Sequence, residues 1–283
     1  MRRSKQRQAL ALALILVLLI SATAGCKALP GGPGTAMAAS KSARDLSPAV
    51  PEAALGEVVA GNNAFAWDLY RSLRGGDGNL LFSPYSISVA LAMAYAGARG
   101  ETERQMAETL HYTLPQGELH PAFDALDLRL APQAGDKADF KLHVVNSLWG
   151  QAGFPFREVF LDTIAVNYGA GVRLVDFTTE GKREAARQAI NGWVSKETEG
   201  KIVDLLARDT LNELSRLVLV NAIYFKGEWE TPFKPRSEEG EFHTPTGTVT
   251  VPMMSRRADT PYAEETGYQA VALPYKGGRI EMV

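Results

Sequence analysis

The chain has 283 residues, 46% hydrophobic and 22% charged, with a formal net charge of −2. That is the composition of a globular protein, long enough for one large domain or two small ones. Near-neutral charge gives no electrostatic ground for a nucleic-acid partner, and a single cysteine, Cys26, excludes an internal disulfide framework.

Residues 1–25 read as a secretory signal peptide. Arg2, Arg3, Lys5 and Arg7 are followed by an apolar core from Ala9 to Ile20 and small residues up to Gly25. The core is short for a membrane span. TAGC, residues 23–26, resembles a bacterial lipobox, although Thr23 stands where leucine is usual. That resemblance implies that Cys26 is lipidated and becomes the mature N-terminus. The alternative is an ordinary signal peptide that happens to contain a cysteine. The expected location is secreted, at the cell surface, with a lipid anchor in the membrane. Residues 26–55 are rich in Pro, Gly, Ala and Ser without apolar periodicity, which predicts a flexible tether.

A globular domain is expected over 56–283. Phe65, Leu69 and Leu73, flanked by Val58, Ala66 and Tyr70, predict an amphipathic helix that GGDG at 75–78 stops. NLLF, 79–82, predicts a short strand. In SPYSISVALAMAYAGA, Ser83 is a good N-cap and Pro84 suits the first helical position. The rest of that helix is apolar all round and alanine-rich, so it is expected to be buried. Thr102 and Gln105 have capping-box spacing for the next helix. KLHVVNSLWG at 141–150 predicts a strand. A helix over about 156–168, a strand GVRLVDF and a helix over 182–198 follow. The last helix places Ala186, Ile190, Trp193 and Val194 on one face. TVTVPMM, YQAVALPY and RIEMV predict late strands. Helices and strands mixed in this order indicate an α+β fold with more than one sheet.

One segment poses a chemical question. Leu217 to Phe225 is apolar except for Asn221, and reads as a strand buried on both faces. Burying an amide without partners costs roughly 2–7 kcal/mol. A cluster of Asn221 with Ser83 and Ser86, which open the buried helix, would satisfy all three side chains.

Motifs for catalysis are missing from the sequence. His111, His120, His143 and His243 are scattered and pair with nothing at metal-ligand spacing. There is no G-x-S-x-G elbow, P-loop or H-E-x-x-H. No metal, cofactor or catalytic residue is therefore expected.

Several long motifs resemble serpins. VNAIYFKGEWETPF, 220–233, is similar to the family segment N-A-I-Y-F-K-G-x-W-x-x-x-F. NLLFSPYSISVALAMAYAGARGETERQM, INGWVSKETEGKIVDLL, VPMM and LPYKGGRIEMV are similar to other family segments in the same order. The resemblance runs from about Gly56 to Val283.

It implies three β-sheets and about nine helices. It implies that the Leu217 run is the third strand of a large sheet that opens between its third and fifth strands. Ser83, Ser86 and Asn221 would form the shutter beneath that opening. Trp229 would stand in the breach, where insertion begins. The implied activity is suicide-substrate inhibition of a serine or cysteine protease by a reactive-centre loop that inserts into the sheet. The partner is the target protease, the full-length form is a monomer, and the inhibitor supplies no catalytic residue. The fifth strand, the loop and the reactive bond are expected beyond Val283, so the domain is expected to be incomplete at its C-terminus. Two alternatives are a non-inhibitory serpin scaffold for binding or carriage, and an unrelated solute-binding lipoprotein.

Overall fold

The structure, a computed structural model, describes residues 36–76, 78–130 and 140–283. The expected signal peptide, Cys26 and the first part of the expected tether lie outside the described residues.

The fold is α+β, as expected. Four helices come first. α1 (Glu52–Leu73) buries Leu55, Val58 and Phe65, while Tyr70 and Leu73 at its C-terminal end are exposed. α2 (Pro84–Tyr95) starts as the sequence predicts: Ser83 caps it by accepting from the Ser86 amide. Its side chains are buried on nearly every side. α3 (Glu101–Leu110) differs from expectation. Gly100, at φ 61°, is its N-cap, and no side chain caps it. That positive-φ glycine brings the chain into the helix two residues early. Thr102 then sits inside the first turn, and Gln105 and Arg104 donate to Glu101. α4 (Gln116–Leu130) has no counterpart in the sequence expectations and contains Pro121. The apolar side chains of α1 to α4 form one core around Phe65, Tyr95, Leu119 and Phe123.

NLLF is not a strand. Leu80 and Leu81 are exposed, and no described strand pairs with them. An extended segment becomes a strand only when a neighbour takes up its backbone groups.

The main sheet has the order β1-β3-β2-β4, with β1 (Met37–Ala38), β2 (Phe140–Gln151), β3 (Val172–Val175) and β4 (Leu217–Gly227). β2 and β3 are parallel, joined through α5 (Glu158–Tyr168), and β4 runs antiparallel to β2. Alternation divides the side chains between two faces. Trp149, Val220 and Ala222 pack under α6 (Glu180–Glu197) with Ala186, Ile190 and Val194. On the other face Leu148, Val172 and Leu219 pack against Met93 of α2 and Ile164 of α5. Beyond the reach of α2 that face is covered only in part, by Tyr275 and Phe140 beside Phe225. Ile223 and Phe225 are exposed, so β4 is buried on both faces only along its middle, not throughout as the apolar run suggests.

Three two-stranded ladders follow: β5 (Lys234–Thr244) with β6 (Gly247–Ser255), β7 (Tyr262–Glu265) with β8 (Tyr268–Val271), and β9 (Leu273–Pro274) with β10 (Glu281–Met282).

Residues 36–50, expected to be free tether, lie along the body instead. Ala36, Met37 and Ala38 pair with β3, and Arg44 reaches two carboxylates of α4. Composition concealed this, because the contacts come from backbone groups and one arginine rather than an apolar stripe.

Among the described side chains, His120 is the one buried histidine. Its Nδ1 lies 2.7 Å from the Tyr168 hydroxyl, and its Nε2 has no partner. Burial, helped by the Arg99 charge, pulls its pKa down from 6.5 to about 4. The folded state therefore favours the neutral ring. Its contribution to stability is complete above pH ~6.5 and is lost as pH falls through the folded value near 4. We expect the denaturant midpoint to drop across that window. The slope should approach one proton, ~1.4 kcal/mol per pH unit. His120→Phe should flatten it. An unchanged profile in that variant would assign the acid sensitivity to other groups.

Candidate polar site between helix and sheet

The first turn of α2 faces the middle of β4. Capping by Ser83 fixes that turn and leaves the Ser86 hydroxyl free to point at the sheet. Asn221 is on the β4 face that meets α2, because the strand alternation puts Leu219 there too. The Ser86 hydroxyl donates to Asn221 Oδ1 at 2.8 Å, and Asn221 Nδ2 donates to the Ser86 carbonyl at 3.1 Å. Nδ2 also donates to Asn146 Oδ1 at 2.6 Å. Ser86 is fully buried and Asn221 half-buried.

The sequence points to Ser86 and Asn221, and the structure joins them. Ser83 is a neighbour only: its hydroxyl takes the Ser86 amide and makes no bond to Asn221. Asn146 is the member the sequence reading missed. It stands directly opposite Asn221 in the β2–β4 register. The signal was present, since Asn146 interrupts the apolar strand LHVVNSLW in the way Asn221 interrupts its own.

The arrangement ties a helix and two strands through one amide pair. Hydrogen bonds of this kind can be exchanged for others as strands move, whereas interdigitated apolar side chains hold one packing. On its far side β4 pairs with no strand among the described residues.

Trp229 lies just past the end of β4. It forms an isolated antiparallel bridge with Tyr275, and the two rings stack at 4.4 Å. Phe233 meets Trp229 edge-on at 5.9 Å, and the Arg256 guanidinium lies over Phe233 at 5.6 Å. Residues 228–230 and 274–276 exchange backbone bonds. The top of β4 is thus held by a second, aromatic contact that is separate from the amide pair.

The described histidines serve locally. His111 contacts Asp68, and His243 contacts Thr248. Among the described residues no group of His, Cys, Asp and Glu is placed to hold a metal ion.

Comparison with known proteins gives one family. The model of the serpin family, described as serine protease inhibitor, matches residues 60–283. An uncharacterized serpin-like protein of Thermococcus kodakarensis is 41% identical over 227 residues, covering 80% of this chain and 52% of that protein. The leukocyte elastase inhibitor of Sus scrofa is 38% identical over 233 residues, covering 80% of this chain and 60% of the relative. Among solved structures, emu ovalbumin superposes with a TM-score of 0.71 at 26% identity, over 80% of this chain and 62% of that one. A serpin of the insect Tenebrio molitor gives 0.68 at 29% identity, over 78% and 60%. The chain spans little more than half the length of the curated relatives it matches.

Proposed function

The chain belongs to the serpin family, and we propose that it is the scaffold of a suicide-substrate inhibitor of serine or cysteine proteases. Family membership removes the reading as an unrelated solute-binding lipoprotein. The observation that carries the inhibitor reading is the Ser86–Asn221–Asn146 knot, which ties the first turn of α2 to facing residues of β2 and β4. A sheet that parts to accept a cut loop as a new strand needs a polar, re-pairable contact beneath the strand that moves. β4 has that contact. In this reading Ser86, Asn221 and Asn146, with Ser83 holding the turn, act as the shutter, and Trp229 guards the end of β4 where insertion starts. The protease supplies the nucleophile and forms an acyl-enzyme with the bait loop. Insertion then strands the protease in that state. The inhibitor orients and moves chain but transfers no proton.

The test is a trap. A form carried past Val283 through a bait loop is mixed with trypsin-like, chymotrypsin-like, subtilisin-like and papain-like proteases. A covalent complex that survives boiling in detergent is expected with at least one of them. Residues 1–283 alone should give none, since no bait is offered. Clean cleavage of the loop without any complex, across all four classes, would leave a scaffold that binds or carries without inhibiting.

Cys26 is proposed as the membrane attachment. Expressed in a bacterial host, the mature protein should begin at Cys26 and carry diacylglycerol mass. Cleavage elsewhere with a free thiol removes the anchor.

A further inference from the structure

The N-terminal segment before α1 is docked by a small set of specific contacts. Leu174 of β3 donates its amide to the Ala36 carbonyl at 2.8 Å, and Met37 and Ala38 stand opposite Arg173 and Val172. Ser40 bonds Asp162 of α5 through its hydroxyl, and the Asp45 amide donates to the Val166 carbonyl at 2.9 Å. Arg44 donates from Nε to Asp124 Oδ1 at 2.8 Å and from Nη2 to Asp127 Oδ2 at 2.6 Å. Asp124 is fully buried, and its other oxygen has no partner. Burial pushes the Asp124 carboxyl upward while Arg44 opposes that shift.

The sheet is shaped to admit this segment. A side chain at Gly171 would put its Cβ 2.9 Å from the Met37 methyl and 3.2 Å from the Ala38 carbonyl oxygen. The strap needs glycine there to lie flat against β3.

Its grip is also limited. Ala38 and Val50 pack against the cores, while Met37 and Leu46 remain exposed. Such docking gives little apolar burial and depends on one arginine and a few backbone bonds. Segments of that kind open well below the cost of global unfolding.

We propose that residues 36–50 are a releasable clasp that covers the outer edge of β3 and ties it to α4 and α5. While it is closed, β1 takes up backbone groups on the outer edge of β3. When it opens, β3 exposes that edge, and copies of the chain associate there by strand pairing. The clasp does not depend on the inhibitor reading.

The experiment uses the full chain with Cys26→Ala, so that engineered thiols are the only ones. Met37 and Arg173 stand directly opposite each other in the antiparallel β1–β3 register. Met37→Cys with Arg173→Cys should therefore cross-link on mild oxidation with little backbone movement. Hydrogen exchange is followed at 172–175 in the starting protein, in Arg44→Ala, and in Arg44→Ala with the cross-link. Arg44→Ala should speed exchange at β3 by about tenfold or more, with the α1 core unchanged, and should raise the soluble oligomer fraction. The cross-link should reverse both effects. If Arg44→Ala fails to fold, the cysteine pair decides alone. Its reduced form should exchange faster at β3 than its oxidised form and should form more oligomer. Failure to cross-link, equal exchange in the two redox forms, or acceleration spread evenly over the chain would overturn the clasp.

Discussion

Asn221→Ala should lower stability by about 3 kcal/mol and make the protein polymerise on mild heating. The substitution removes three contacts at once. The Ser86 hydroxyl loses its acceptor, and the Ser86 carbonyl and Asn146 Oδ1 each lose a donor. A buried polar group without a partner costs about 1–3 kcal/mol, and water at half-exposed Asn221 offsets part of the sum. Asn146→Ala should cost less, because the Asn221–Ser86 bonds survive it. The double variant should be less damaging than the two single effects added together, since both remove the same amide pair. Loosening β4 should also matter beyond stability, because a strand that parts more freely from its neighbours accepts strands from other copies. The check is thermal and denaturant unfolding of the four proteins, with light scattering after mild heating. If Asn221→Ala melts and polymerises like the starting protein, the amide pair does not hold this strand.

How much of this site could be read in advance depended on the kind of signal. Asn221 was legible because an amide inside an apolar run demands partners, and Ser86 because it opens a helix that has no other polar face. Asn146 carried the same signal and was passed over, since only the in-register pairing of β2 and β4 makes it a partner. The Ser83 cap is local chemistry, and local rules suffice for it. α4 was not legible: Pro121 and the charged residues around it mask the stripe of Leu119, Phe123 and Leu126. β5 was equally hidden, because its exposed, charged residues give no alternation, and its pairing with β6 supplies what propensity does not. NLLF fails for the opposite reason, as its local propensity finds no partner. The clasp lay beyond composition altogether. A Pro-, Gly- and Ala-rich segment looks like a tether until Asp124 is seen to be buried and in need of a cation.

Ile190→Ala should cost about 3–4 kcal/mol and free α6 from the sheet before the rest of the protein unfolds. Ile190 is fully buried at the centre of the contact between α6 and the Trp149, Val220 and Ala222 face. No helix other than α6 contributes a buried side chain to that cluster. The cavity left by truncation therefore cannot be filled from a second layer. Asn191, the next residue, works differently. Its side chain accepts from the Leu206 amide at 2.9 Å and donates to the Leu206 carbonyl at 3.0 Å, fastening the returning chain to the helix. Asn191→Ala should release that loop, with a smaller loss of about 1–2 kcal/mol, while α6 stays seated. Hydrogen exchange separates the two outcomes. Ile190→Ala should expose amides throughout 180–197, and Asn191→Ala mainly those of 202–213. The distinction bears on the proposed insertion, because a strand added beside β4 must pass under or displace whatever covers that face. A form with a bait loop and Ile190→Ala should insert faster yet survive heating less well. If α6 exchange is unaltered in Ile190→Ala, the helix is held by other contacts and does not gate the sheet.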